Sequence, residues 1–240
     1  MSISLVCLDM AGTTVEDDGA VMDAFARAME EVGIAHGTPE RDRATQHTID
    51  TMGQSKIDVF RAITGSDDRA HAANRAFESA YLDLIRGGAA RPLPGAEDTI
   101  RALQEAGILV TLTTGFSPDT RDALLEELGW SDLPDAAFSP ADAGRGRPFP
   151  NMNLSAVLRL GIDDVREVAV AGDTASDILA GLRAGASVVA GVRTGTHGDA
   201  EFAAAGATHV LDSVADLPGV LRTNHADVHR SVTGATGRSV

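Results

Sequence analysis

Of the 20 lysine and arginine residues in this chain, one alone is lysine, Lys56. Arginine stays protonated near neutral pH, whereas a desolvated lysine sheds its proton, and only the neutral amine adds to a carbonyl to form a Schiff base. A drift from lysine to arginine in composition would leave a survivor anywhere, but the surroundings of Lys56 are more particular. Read as a helix over 55–63 at about 100° per residue, the segment puts Val59, Phe60 and Ile63 around Lys56, with Asp58, Arg61 and Ala62 opposite. An amine in such an apolar stripe either snorkels to the rim or sits in a partly dry pocket with a lowered pKa. Gly53, just upstream, lets backbone approach something closely.

Four other segments carry polar groups suited to phosphoryl chemistry. Asp9-Met10-Ala11-Gly12-Thr13 follows a short apolar run, so its carboxylate is offered at a strand tip as a nucleophile or, with a backbone carbonyl, as a hard-cation ligand. Thr113-Thr114-Gly115 offers hydroxyl and N–H donors to an anionic oxygen. Gly146-Arg147-Pro148-Phe149-Pro150 holds a guanidinium on a stiff loop, and Gly172-Asp173-Thr174-Ala175-Ser176-Asp177 places two carboxylates four apart at a strand-to-helix turn. Each alone is a common turn or cap, but four in this order at strand ends form a strong signal.

The elements that must position them follow from periodicity. Apolar runs at 3–8, 108–112, 168–171 and 187–192 read as buried strands, and the helical patterns at 96–106, 120–128, 154–160 and 178–184 separate them. This alternation predicts an α/β doubly wound parallel sheet with the site at the carboxyl ends of its strands. From 17 to 90 the alternation fails. Met22, Phe25, Met29 and Val32 recur at helical spacing and are expected as packing core, the Lys56 helix follows, and another helix spans 70–85. The expected organisation is a core of residues 1–16 and 91–222, an inserted all-helical cap at 17–90 that closes over the strand ends, and a loose tail at 223–240. In that tail His225 and His229 are expected as solvated residues.

Together these segments resemble the four motifs of the haloacid dehalogenase superfamily, over the chain to about residue 220. They are most similar to its phosphonatase-like branch, the relatives of phosphonoacetaldehyde hydrolase. In that branch Ala11 stands where phosphatases of the superfamily carry a second, acid–base aspartate, and Arg147 stands where they carry lysine. Met52-Gly53-Gln54-Ser55-Lys56-Ile57-Asp58 resembles the cap segment bearing the branch's Schiff-base lysine. The resemblance implies Mg²⁺ held by Asp9, Asp173 and the Ala11 carbonyl, with Asp177 in its outer shell. It implies catalysis by Asp9 and Lys56, binding of the phosphoryl group by Gly12, Thr13, Thr114, Gly115 and Arg147, and a homodimer formed through the cap. It also implies cleavage of the carbon–phosphorus bond of a 2-oxoalkylphosphonate through a lysine imine and an aspartyl phosphate. A phosphatase or phosphomutase acting on a small phosphate ester is the alternative, and a non-catalytic phosphate-binding protein is a more distant one. Two residues depart from the branch: Val59 replaces a histidine three positions after the lysine, and Phe116 replaces a tyrosine. Either another group, His47 or a water, then moves the protons, or the carbonyl substrate differs from phosphonoacetaldehyde.

Composition narrows the partners. The 240 residues, 43% of them hydrophobic, suffice for a substantial core, and a formal charge of −15 argues against nucleic acid or an anionic membrane as partner. Asp9 interrupts the only apolar stretch near the start, so neither a leader nor a membrane span is expected, and the cytoplasm is the expected compartment. Cys7 is expected in the core, and Trp130 and Leu133 are candidates for a dimer contact.

Overall fold

The structure is a computed structural model that describes residues 2–222. The expected tail, with His225 and His229, lies outside the described residues. In chain order the elements are β1 Leu5–Asp9, β2 Val15–Glu16, α1 Ala20–Glu31, α2 Pro39–Asp50, α3 Lys56–Thr64, α4 Asp67–Leu84, β3 Arg91–Pro92, α5 Ala96–Glu105 and β4 Leu109–Thr113. They continue with α6 Pro118–Glu127, β5 Ala136–Phe138, α7 Pro140–Ala143, α8 Asn151–Leu160, β6 Val168–Gly172, α9 Ala175–Ala184, β7 Val188–Val192, α10 Asp199–Ala205 and β8 His209–Leu211.

Six strands form one parallel sheet in the order β5-β4-β1-β6-β7-β8. Its central strands are apolar at nearly every position because helices cover both faces. Val6 and Leu8 enter one apolar cluster with Val110, Leu112 and Ile100, whereas Leu5 and Cys7 enter another with Met152, Val157 and Val170. The α/β doubly wound class is thus borne out, and Cys7 is a buried free thiol that burial pushes up to about 12. Register sets the site: Asp9 ends β1 directly opposite Thr113 of β4, and Leu8 pairs with Ala171 of β6, two residues before Asp173. The chain leaves β1 for β4 on one side and reaches β6 on the other, so Asp9 stands where strand order reverses, the usual place for a ligand in such sheets.

The helices α1 to α4 form the insertion between β1 and the rest of the sheet. Its exit and return are tied by the antiparallel pair β2–β3, which sequence periodicity did not predict. In the insertion Phe25 of α1 packs against Phe60 of α3 and Phe77 of α4, with ring centroids 5.0 and 4.8 Å away. Helix α2 is the one helix of the insertion that periodicity missed, for a physical reason. Its buried positions are Arg41, Ala44 and Thr48, and it starts on a Thr38 cap followed by Pro39, so no apolar stripe announces it. Arg41 is buried because its guanidinium donates to the Ile34 and Ala26 carbonyls, at 3.0 and 3.1 Å. Strands β5 and β8, three residues each at the sheet edges, also went unanticipated. Trp130 and Leu133 are buried in the chain's own core, where the indole donates to Glu97 at 3.2 Å, so neither is available for the dimer contact that the sequence suggested. Among the described residues no helix is long and apolar enough to cross a membrane.

Candidate active site

Asp9 and Asp173 reach the site from the ends of β1 and β6, and Asp177 from the first turn of α9, where it completes a reciprocal cap with Thr174. Oxygens of the three carboxylates lie within 4.8 Å of one another, and all three residues are buried. Arg147 is the cation placed among them. Its Nη1 binds Asp9 Oδ1 at 2.6 Å and also pairs with Asp177, which leaves Nε buried without a partner. One guanidinium does not neutralise three buried carboxylates. Burial pushes Asp9 well above the usual carboxylate range despite the opposing pull of Arg147, with Asp177 and Asp173 adding repulsion. Burial and then Asp177 raise Asp173 to about 6, although its Oδ2 accepts the Thr196 N–H at 2.8 Å. A compact, all-oxygen donor set with surplus negative charge fits a hard divalent cation such as Mg²⁺. Ala11 lines the same cavity as Asp9 and Asp173.

Of the other expected residues, Thr114, Gly115, Arg147 and Lys56 line that cavity, whereas Gly12 and Thr13 do not. Thr114 continues β4, and its hydroxyl accepts the Phe116 N–H at 3.2 Å, so its own proton remains available to an anionic oxygen. Gly12 is held by a 2.7 Å bond from Thr194 Oγ1 to its carbonyl, and Thr13 is fully buried with an unpartnered hydroxyl. Gly115 is where the cap meets the core. Its carbonyl accepts the Lys56 N–H at 3.3 Å, and a Cβ there would stand 2.3 Å from the Gln54 carbonyl oxygen. Gly53 makes the matching approach from the cap with φ +81°, where a Cβ would lie 2.6 Å from Thr174 Oγ1. These two glycines let segment 53–56 lie directly on the strand ends.

Lys56 opens α3 and is only 7% exposed. The stripe expected around it forms: Val59 and Phe60 are buried, Ile63 is half-buried, and Asp58 is exposed. Three rings surround the ammonium, with centroids at 5.3 Å for Phe116, 5.5 Å for Phe25 and 5.9 Å for Phe77. Among the described residues no carboxylate lies within ion-pairing distance of it. Desolvation, then the nearby Arg147 charge, lowers its pKa to about 8 against the partial pull of Asp9, Asp17 and Asp173. Its place at the positive end of a helix acts in the same direction. The cavity joining Lys56 to Asp9, Thr114, Gly115 and Arg147 measures about 30 Å³, room for little more than a water. Beside it lies a cleft of about 550 Å³ lined by Asp17, Met22 and Thr194, which shares Ala11, Met52 and Asp173 with the inner cavity.

Sequence reasoning missed Asp17 and Tyr81. Tyr81 of α4 is fully buried, its hydroxyl is unpartnered, and its ring lies 4.6 Å from Phe116. It is the only tyrosine in the chain, so the argument that singled out Lys56 would have found it too. His47 lies in the last turn of α2 and is not among the residues that line the cavities at Lys56.

Comparison with known proteins agrees with this arrangement. Residues 3–185 match the haloacid dehalogenase-like hydrolase family. Phosphonoacetaldehyde hydrolase of Bacillus cereus is 31% identical over 203 residues, covering 77% of this chain and 74% of that protein. A phosphonoacetaldehyde hydrolase like protein from Oleispira antarctica shares the fold at a TM-score of 0.78 and 24% identity, covering 100% of this chain and 96% of its own. A hydrolase from Pseudomonas syringae does so at 0.76 and 22%, covering 93% and 98%. With three aspartates and an arginine gathered at the strand ends beneath a helical insertion, the chain belongs to the haloacid dehalogenase-like hydrolases, and phosphonoacetaldehyde hydrolases are among its relatives.

Proposed function

We propose that this protein is a Mg²⁺-dependent hydrolase of the phosphonatase type, which cleaves the carbon–phosphorus bond of phosphonoacetaldehyde or a related 2-oxoalkylphosphonate. The observation that carries this reading is the sole lysine, caged by three aromatic rings with its pKa lowered to about 8, on the wall of the cavity that also holds Asp9 and Arg147. A binding lysine for an ordinary phosphate ester would gain nothing from losing its charge. A Schiff-base lysine requires it.

Heterolysis of a carbon–phosphorus bond leaves a carbanion, which needs an electron sink. In the proposed sequence neutral Lys56 adds to the substrate carbonyl and loses water to form a protonated imine. Asp9 then attacks phosphorus in line, and the bonding electrons flow into the imine to leave an enamine. Water later hydrolyses the aspartyl phosphate, while the enamine takes up a proton at carbon and water hydrolyses the resulting imine to release the aldehyde and free Lys56. Thr114, Gly115, the backbone of Gly12 and Thr13, and the free edge of Arg147 hold the phosphoryl oxygens. Asp9, Asp173 and the Ala11 carbonyl would hold Mg²⁺, with Asp177 orienting its shell, and the cation when bound offsets repulsion between carboxylate and phosphonate. Ala11 supplies no proton donor, which an enamine leaving group does not need. For an ester the same absence costs about 10²–10⁴-fold in rate.

The test is Mg²⁺-dependent phosphate release from phosphonoacetaldehyde beside a panel of phosphate monoesters. Release from the phosphonate at least about 10²-fold faster is the expected result. Turnover of esters alone would assign the site to a phosphatase and make Lys56 a binding residue.

A further inference from the structure

Strand β7 lies beside β6 with Gly191 opposite Gly172, so the chain that leaves β7 emerges next to Asp173. The segment 193–198 belongs to none of the four motifs, yet it touches two of them. Thr194 Oγ1 donates to the Gly12 carbonyl at 2.7 Å. The Thr196 N–H donates to Asp173 Oδ2 at 2.8 Å, and the His197 N–H donates to the Asp173 carbonyl at 3.1 Å. Gly195 lies so close that a Cβ there would overlap the Asp173 carboxylate. The His197 imidazole completes the contact, since its Nδ1 accepts the Ala175 N–H at 2.9 Å. Ala175 is the first residue of α9, and the first amides of a helix have no partner within it. Thr174 and Asp177 cap each other, which leaves the Ala175 N–H to be met from outside the helix.

We propose that His197 is a positioning residue for Mg²⁺, holding the 173–177 turn against the 194–197 segment so that Asp173 keeps its carboxylate in the cluster. This inference rests on the reading that Asp9, Asp173 and Asp177 hold the cation. Repulsion among three buried carboxylates favours turning one of them away, and Asp173 has somewhere to go, because it also lines the outer cleft of about 550 Å³. The bonds from Thr196 and His197 oppose that turn. They hold only while the segment stays in place, and residues 193–196 are themselves exposed. Two side-chain bonds pin the segment, Thr194 to the Gly12 loop and His197 to the start of α9. His197 lines neither cavity, so it acts on the cation through Asp173, as outer partners of metal ligands do.

The experiment measures Mg²⁺ affinity by calorimetric titration, and the melting temperature of the metal-free protein, for the wild type, H197A, H197N and G195A. H197A is expected to bind Mg²⁺ about 10–100-fold more weakly. H197N is expected to recover most of that loss, because its Oδ1 can accept where Nδ1 did. G195A keeps the imidazole but crowds the Asp173 carboxylate, and a similar weakening is expected. An H197A that melts lower yet binds Mg²⁺ as the wild type does overturns the proposal, since His197 would then only cap α9. An H197N as weak as H197A overturns it too, because the Nδ1 contact would not be what positions Asp173. If H197A does not fold, H197N with wild-type affinity beside a weakened G195A supports the assignment, and a G195A of wild-type affinity overturns it. A wild type that takes up no Mg²⁺ would instead overturn the cation reading of the three carboxylates, and this inference with it.

Discussion

At the scale of the residue, Lys56 carries a cost that the proposed imine chemistry explains. The folded chain releases the Lys56 proton near pH 8, whereas an unfolded lysine holds it to about 10.5. Because the unfolded state binds more protons between those values, stability rises with pH across that window, and below pH 8 the full cost of burying the ammonium is present. Replacing Lys56 by methionine, which has a similar length and no charge, is therefore expected to raise the melting temperature at pH 7 by a few degrees while abolishing turnover. The gain should shrink as pH approaches 10, and calorimetry at pH 7 and 9.5 measures both. Lys56→Met that melts below the wild type at pH 7 would show that the aromatic cage stabilises the ammonium more than desolvation penalises it. Lys56 was legible in the sequence because its type is unique in the chain and its neighbours repeat at helical spacing. Asp17 was not, because an acid flanked by two acids reads as a solvated turn. Its difference from Glu16 and Asp18 exists only once Arg91, from 73 residues beyond Asp18, pairs with both of them.

At the scale of the element, the proposed mechanism needs α3 to lie closely on the strand ends, as the Lys56 N–H to Gly115 carbonyl contact holds it. Gly115 sets that approach, since any side chain there meets the Gln54 carbonyl oxygen, which is backbone and cannot yield cheaply. Gly115→Ala is expected to fold, because the added methyl meets the cap and not the sheet core, and to lose about 10²-fold in kcat/KM by holding Lys56 off the phosphoryl cradle. Steady-state kinetics with circular dichroism checks this, and unchanged kinetics would mean that the cap does not need this contact. Periodicity recovered four strands and the long helices because their burial is one-sided or complete. It failed at α2, β2, β3, β5 and β8, and at the short helices α7 and α10, for separate reasons. α2 buries an arginine, β2 and β3 are two residues each, and the edge strands are too short to show a pattern.

At the scale of the whole molecule, a chain of net charge −15 binds an anionic substrate by local means. It gathers three buried carboxylates against Arg147 at the switch point of the sheet, a surplus of charge that a divalent cation would relieve. The consequence for pH has a definite sign. Burial raises the folded carboxyls of Asp9 and Asp173, the latter to about 6. Their contribution to stability is present at acid pH and is lost as pH rises through the folded values. Mg²⁺ competes with the protons, so the rise in melting temperature on adding it should be larger at pH 8 than at pH 5.5. Equal shifts at the two pH values would place cation binding elsewhere. The fold class and all four core motifs were legible because each lies within a few consecutive residues. The cap–core contacts were not, since Gly53 meets Thr174 and Gly115 meets Gln54 only after the insertion folds back.

The central claim is that Lys56 forms a covalent imine with a carbonyl phosphonate. Its most direct test is to add borohydride to the protein with phosphonoacetaldehyde, digest it, and locate the added mass by peptide mass spectrometry. The expected result is loss of activity with a reduced two-carbon adduct on the peptide that carries Lys56, absent when phosphonoacetaldehyde is omitted. An unmodified Lys56 under conditions where the untreated enzyme turns the substrate over would contradict it.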